Sequence, residues 1–293
     1  FSRFVSEKTQ GRAKVIWYLS GVMGDEPEMI KKIHGGQIQG GAFTILGLGK
    51  INSQIKVLEL PFLFNTYKEV DYVLKKLHGR FSRLFEDKGF ALAGWAEVGF
   101  ARIFSKTPLT NISDIAKTKM WTWADDALAE AVLKAMGFRT IVPLTLADVL
   151  PSLHTGQINA YYGPAYATLS LQWHTQVKYA TDFSVAYTPA AIVMYKKFLA
   201  SLPRNIRMTL NEGWNIYLPK LIVVIREEER EAMETLQYSG IKIAHADEGF
   251  LNEIRSRTLP LYRQFAEVLY PSSLLSDILA TLKEFRGKAG SKH

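Results

Sequence analysis

The sequence predicts an α/β protein, a sheet with helices packed on its faces, and three observations carry that expectation. Strand-like and helix-like segments alternate from the start of the chain. Phe90 to Ser105 (Phe-Ala-Leu-Ala-Gly-Trp-Ala-Glu-Val-Gly-Phe-Ala-Arg-Ile-Phe-Ser) far exceeds the roughly five or six residues of an ordinary strand, so one strand can serve two lobes. The balance of 47% hydrophobic and 22% charged residues over 293 positions is that of an ordinary globular protein of about two domains.

The opening Phe1-Ser2-Arg3-Phe4-Val5 sets apolar residues at helical spacing with no cap before them. The chain is therefore expected to start inside a helix that Gly11 ends, with any export signal or lipid anchor outside these residues. Ala13 to Leu19 (Ala-Lys-Val-Ile-Trp-Tyr-Leu) reads as a buried strand. Asp25 stands three residues ahead of Glu28, with Pro27 in the first turn, and starts a helix that carries Met29, Ile30 and Ile33 on one face and stops at Gly35–Gly36. A short strand runs from Ile38 through Thr44, and the loop Leu60-Pro61-Phe62-Leu63-Phe64 leads to a helix that begins near Thr66 and ends by Gly79. Beyond the long strand, Leu128, Ala131, Val132, Ala135 and Met136 form a helical stripe in a unit spanning Asp125 to Met136, closed by Gly137. Thr140 to Val142 is a strand, Leu146 to Leu153 a helix ended by Gly156, and Gln157 to Tyr162 a further strand. Pro203 to Tyr238 has a helical pattern that Pro219 is expected to kink or split. Ile241 to Ala244 is a last strand, before helical stripes in Leu251 to Phe265 and Leu274 to Phe285.

Much chemistry is excluded. No apolar stretch approaches the ~20 residues of a membrane span. Zero cysteines leave no disulfide, thiolate zinc site or cysteine nucleophile. The histidines His34, His78, His154, His174, His245 and His293 never come closer than the twenty positions between His154 and His174, so no HxH or HExxH face is offered to a metal. No GxSxG elbow occurs, and Gly49-Lys50 lacks the flanking residues of a phosphate loop. The paired carboxylates Asp125 and Asp126 stand where a helix begins, and capping accounts for them. The net charge of +8 raises the question of nucleic acid, but Lys and Arg come in ones and twos, and the densest patch, Arg226 to Arg230, is interleaved with Glu227, Glu228 and Glu229. A solvated basic face is expected, with no nucleic-acid partner and no cofactor.

The aromatic residues stand out. Trp121 and Trp123 lie two apart in Lys119-Met120-Trp121-Thr122-Trp123, which places both rings on one face of a strand. Tyr161, Tyr162 and Trp95 stand at other strand ends. Any one of these rings reads as core. Several together at strand ends facing a crevice would form an apolar ligand wall.

A series of motifs then runs in a familiar order: Gly24-Asp25-Glu26, Gly36-Gln37-Ile38-Gln39-Gly40-Gly41, Leu60-Pro61-Phe62-Leu63-Phe64, Ser113-Asp114-Ile115, Ala135-Met136-Gly137, Val142-Pro143-Leu144, Leu153-His154-Thr155-Gly156-Gln157-Ile158-Asn159, Gln176-Val177-Lys178-Tyr179 and Leu202-Pro203. Over nearly the whole chain this order resembles the substrate-binding P subunits of TRAP transporters. The resemblance implies a two-lobed periplasmic-binding-protein fold of type II, a periplasmic location, no enzymatic activity, a small-molecule ligand held between the lobes, and membrane permease subunits as partners. It places lobe I at 1–101 with 188–227, lobe II at 102–187 with 228–260, and 261–293 as C-terminal helices packing back on lobe I. Beside such proteins the chain starts late, without the usual first strand and half of the first helix.

The resemblance also implies where the ligand differs. Family members place a carboxylate-clamping Arg where this chain has Trp121, and a second where it has Ala101, with Arg102 one position along. The crevice would be lined by Phe43, Thr44, Phe62, Trp95, Arg102, Trp121, Trp123, Leu146, Tyr161, Tyr162 and Tyr187, a largely apolar set. An apolar or amphipathic ligand is therefore expected in place of a simple carboxylate; the rival is that Arg102 swings in through a bulge and holds the anionic head group of a fatty-acid-like molecule with an apolar tail. A tetratricopeptide-repeat periplasmic protein is a further candidate partner. An enzyme on the same two-lobe fold and a pocketless interaction scaffold remain as alternatives.

Overall fold

The computed structural model describes residues 1–19, 21–124 and 126–290. Asp125, the expected start of the helical unit and half of the acidic pair, and His293 lie outside the described residues. The elements are α1 Ser2–Lys8, α2 Glu26–His34, β1 Gly40–Thr44, α3 Ile45–Ile51, a 3-10 helix Ser53–Glu59, α4 Tyr67–Lys76, α5 His78–Glu86, β2 Phe90–Ser105, α6 Ile112–Lys117, β3 Lys119–Trp123, α7 Ala127–Met136, β4 Thr140–Leu144, α8 Leu146–Thr155, β5 Ala160–Gly163, α9 Ala165–Ser170, a second 3-10 helix Trp173–Gln176, β6 Tyr179–Tyr195, α10 Lys196–Ser201, α11 Arg204–Tyr238, β7 Lys242–Ala244, α12 Glu248–Thr258, α13 Leu261–Gln264 and α14 Ser272–Gly290.

The strands form one open mixed sheet in the order β1-β6-β2-β5-β3-β4, with β7 also paired to β6. Strands β2 and β6 pair antiparallel along almost their whole lengths. The sheet grows from this pair in two directions: β1 joins the 190–194 end of β6, while β5 joins the 102–105 end of β2 and leads in parallel to β3 and β4. The overlong segment Phe90–Ser105 is thus a single strand, paired with β6 along its length and with β5 at its far end. It is bulged midway: the register slips between Glu97 and Gly99, and Gly99 sits at φ +128, a conformation that residues with a Cβ rarely adopt. A second slip precedes Gly94, where a Cβ would press on the Leu218 side chain of α11.

Two large hydrophobic cores are accompanied by two small clusters, around Val5 and around Trp214. The larger holds Phe43, Trp95 and Tyr187 among its buried residues, and the smaller holds Phe104, Trp121, Tyr161, Trp173 and Leu236. Helix α14 lies on α4, fixed by Tyr72 Oη donating to Glu284 at 2.7 Å and by Arg286 Nε donating to Glu69 at 2.8 Å.

Local signals held at the caps. Asp25 accepts from the Glu28 amide at 2.9 Å, and Asp126 accepts from the Ala129 amide at 3.2 Å. One expectation fails and another is narrowed. Ala13 to Leu19 is not a buried strand: it pairs with no strand among the described residues, and Ile16, Trp17, Tyr18 and Leu19 are exposed. A cavity of about 510 Å³, lined in part by Val15, Trp17, Gly40 and Trp214, lies alongside it, and strand propensity without a hydrogen-bonded neighbour does not make a strand. Pro219 does not split the long helix, since α11 is continuous over 35 residues. Trp214 and Leu218 before the proline pack with Ile192 of β6, and Arg226 beyond it is held by Glu97 of β2, so the loss of one helical hydrogen bond is bridged by contacts on both sides.

Candidate functional site

The aromatic wall forms around β3. The Trp121 ring stacks on Tyr162 of β5 with centroids 5.4 Å apart and meets Trp123 at 5.1 Å and Trp173 at 5.4 Å. Its Nε1 donates to the Leu144 carbonyl at 3.2 Å, and only 2% of the residue is exposed. Trp121 is therefore fixed on several sides, with Trp123 and Tyr162 as its less buried neighbours. Burial pushes the Tyr162 hydroxyl far above its ordinary range, so it stays neutral at any physiological pH.

Beside this wall stands a charged group that no sequence pattern announced. The first 3-10 helix supplies Lys56, whose Nζ lies 2.7 Å from Asp126 Oδ1, the cap of α7. Glu59, at the end of the same 3-10 helix, is in electrostatic reach of Asp126, Lys56 and Tyr162. Burial first, and then Asp126, holds the Glu59 carboxyl up to about 8, with Lys56 only partly opposing them.

The remaining candidates are scattered. Phe43, Trp95 and Tyr187 are core side chains: Trp95 stands edge-on to Phe81 at 5.5 Å, and Tyr187 donates from its hydroxyl to Glu97 Oε2 at 3.0 Å. Tyr161 is fully buried and stacks on Phe104 at 5.3 Å. Thr44 caps α3, and its own amide and hydroxyl donate to Glu26 at 2.9 and 3.1 Å. Phe62 adopts φ +56, lies 5.6 Å from the Arg255 guanidinium, and lines a separate cavity of about 400 Å³ with Asn65 and Tyr262. Leu146 is 39% exposed at the start of α8. The bulge at Arg102 is present, with register slips on both sides of it. Its guanidinium nevertheless donates to the Thr181 carbonyl at 2.9 Å and has Glu229 and Asp182 as its charged surroundings. Of the eleven candidates, the structure brings Trp121, Trp123 and Tyr162 into mutual contact, and it adds Lys56, Glu59 and Asp126 beside them. Among the described residues, no group of His, Asp and Glu is arranged to hold a metal.

The sequence model of the bacterial extracellular solute-binding proteins, family 7, matches residues 1–268. A solute-binding protein of Chromohalobacter salexigens is 23% identical over 95% of this chain and 82% of its own length. The C4-dicarboxylate-binding periplasmic protein DctP of Rhodobacter capsulatus is 24% identical over 84% of this chain and 74% of its own. Among solved structures, a TRAP periplasmic solute-binding protein of Chromohalobacter salexigens with bound D-glucuronate superposes with a TM-score of 0.87 at 22% identity, covering 96% of this chain and 93% of that one.

Proposed function

Because the chain belongs to family 7 of the bacterial extracellular solute-binding proteins and is a receptor of the TRAP type, we propose that the molecule it captures between its lobes and delivers to permease subunits is apolar or amphipathic and not a simple carboxylate. It is a binding protein and not an enzyme, and it works outside the cytoplasm. The observation that supports the ligand class is Trp121, which occupies the expected clamp position as a buried ring stacked on Tyr162 and tied to Leu144. An anion there would meet indole in place of a bidentate guanidinium fork, and Arg102 is engaged by Thr181. Burying ~300 Å² of apolar ligand surface at ~25 cal/mol/Å² contributes on the order of 7 kcal/mol before association costs, enough to replace a salt bridge as the source of affinity.

The same proposal includes the lobe boundaries, 1–101 with 188–227 and 102–187 with 228–260, and residues 261–293 returning to lobe I. It also includes a periplasmic tetratricopeptide-repeat protein as a further partner. D-Glucuronate and C4-dicarboxylates are associated with the relatives named above, at identities of 24% or less. Native mass spectrometry of freshly purified protein should show a co-purified neutral or amphipathic molecule. Trp121→Arg should weaken its binding strongly by setting a desolvated charge against it. Tight calorimetric binding of D-glucuronate or succinate by the unmodified protein would overturn the proposed ligand class.

A further inference from the structure

We propose that the cavity of about 400 Å³ between the loop Leu60-Pro61-Phe62-Leu63-Phe64 and α12 is a second small-molecule site, separate from the aromatic wall around Trp121, and that it takes a small organic anion with a flat apolar body. Its floor is fixed at three consecutive residues. The Pro61 carbonyl accepts from the Tyr262 hydroxyl at 2.6 Å, the Phe62 amide donates to the Val185 carbonyl at 2.8 Å, and the Leu63 carbonyl accepts from Arg286 at 3.1 Å. Three different elements, α13, β6 and α14, supply those partners. Together they hold Phe62 at φ +56, a conformation rare for a bulky residue, and Phe62 and Tyr262 both line the cavity.

The charge at the cavity has one sign. The Arg255 guanidinium stands 5.6 Å from the centre of the Phe62 ring, a contact that orients the planar group without using its N–H donors. Among the described residues the Arg255 and Asn65 side chains, both at the cavity, have no hydrogen bond or ion pair. No acid lines the space, and two acids that flank these residues in sequence are taken: Glu253 by Arg257 at 2.6 Å, and Glu69 by Arg286 at 2.8 Å. A cation would therefore meet Arg255 with no carboxylate to offset it, and a purely apolar molecule would cover the guanidinium and the Asn65 amide without satisfying them. A carboxylate satisfies both, since the guanidinium fork takes its two oxygens and Asn65 donates a further hydrogen bond. A ring attached to that carboxylate would lie along Phe62 and Leu259, which is 62% exposed, and the volume falls within the roughly 300–1,000 Å³ of small-molecule pockets.

Benzoate, benzyl alcohol and benzylammonium share one ring and differ in head group, and sulfate supplies an anion without the ring. Calorimetric titration into the full chain at pH 7 should place benzoate at least tenfold tighter than each of the other three. Benzoate should shift the amide resonances of Phe62, Asn65 and Leu259 and leave those of Trp121, Trp123 and Tyr162 in place. Arg255 is exposed, so Arg255→Gln should keep the fold while lowering benzoate affinity at least tenfold, and Arg255→Lys, which keeps the charge without the fork, should recover only part of it. Benzyl alcohol binding as tightly as benzoate, unchanged affinity in Arg255→Gln, or shifts confined to the Trp121 and Tyr162 amides would overturn the anion site. Sulfate binding as tightly as benzoate would overturn the assignment of an organic ligand, and binding of none of the four would overturn the site altogether.

Discussion

At the scale of single residues, the buried acid Glu97 shows how a charge is kept inside the fold. Its side chain is 1% exposed, yet Arg226 Nε lies 2.6 Å from Oε1, and the Tyr187 hydroxyl donates to Oε2 at 3.0 Å. The same guanidinium makes a two-pronged contact with Asp71, at 2.9 and 2.7 Å, and covers the Tyr67 ring at 4.4 Å. Removing only the cation leaves Glu97 buried and unpaired, so Arg226→Ala should cost about 3 kcal/mol, read as a drop in the denaturation midpoint. Arg226→Lys, with charge but no planar fork, should lose less. Glu59 behaves oppositely because the cation in its reach, Lys56, is paired with Asp126 and opposes burial only in part. Its folded-state pKa of about 8 stands above the ordinary 4.5, so between those values the folded chain holds a proton that the unfolded chain has released. Stability is complete below the lower value and falls as pH rises towards the upper one. Glu59→Gln removes that loss. Allowing for solvent screening of a half-buried group, thermal unfolding should show the variant equal to the parent at pH 4 and more stable at pH 9 by about 2 kcal/mol.

At the scale of elements, Asp126 joins local and long-range structure. It caps α7 through the Ala129 amide and pairs with Lys56 from a distant 3-10 helix. Only the first role was legible in the sequence, because a cap depends on neighbours three residues away, whereas the ion pair depends on how two distant segments dock. The same division explains the rest. Trp121 and Trp123 could be placed together from strand periodicity, and the length of Phe90–Ser105 announced one unusually long strand. Glu59 carried no signal, since an acid at the end of a 3-10 helix looks like any surface acid until β5 and α7 close around it. Ala13 to Leu19 misled for a related reason: its composition is that of a strand, but pairing is supplied by other segments. The two roles of Asp126 can be separated experimentally. Asp126→Asn keeps the amide-accepting oxygen and loses the ion pair, whereas Asp126→Ala loses both, so the alanine variant should be less stable by a further ~1 kcal/mol in urea denaturation. Equal stability of the two would show that the cap contributes nothing.

At the scale of the whole molecule, the formal charge of +8 is dispersed, and several cations are occupied within the fold: Arg226 by Glu97 and Asp71, Arg286 by Glu69, and Arg230 by Glu227 and Glu234. Binding to DNA at physiological salt should accordingly be weak, with a shallow dependence on salt concentration. The more informative large-scale property is the angle between the lobes. Under the proposed boundaries, Lys56 belongs to lobe I and Asp126 to lobe II, so their 2.7 Å contact is a latch across the crevice. Under the same boundaries β2 and β6 would run through both lobes, with Gly99 at the bulge of β2. A latch of this kind biases the closed arrangement without a ligand, and a bound molecule adds its own contacts to both sides. Cutting the latch while keeping the cap, by Asp126→Asn, should shift the ligand-free protein towards the open form. Small-angle scattering should then give a radius of gyration above the ~19 Å of a compact chain of this length, and saturating ligand should restore the smaller value. Scattering curves identical for parent and variant, with and without a ligand whose binding is demonstrated on the same samples, would show that Lys56 and Asp126 hold no moving parts together.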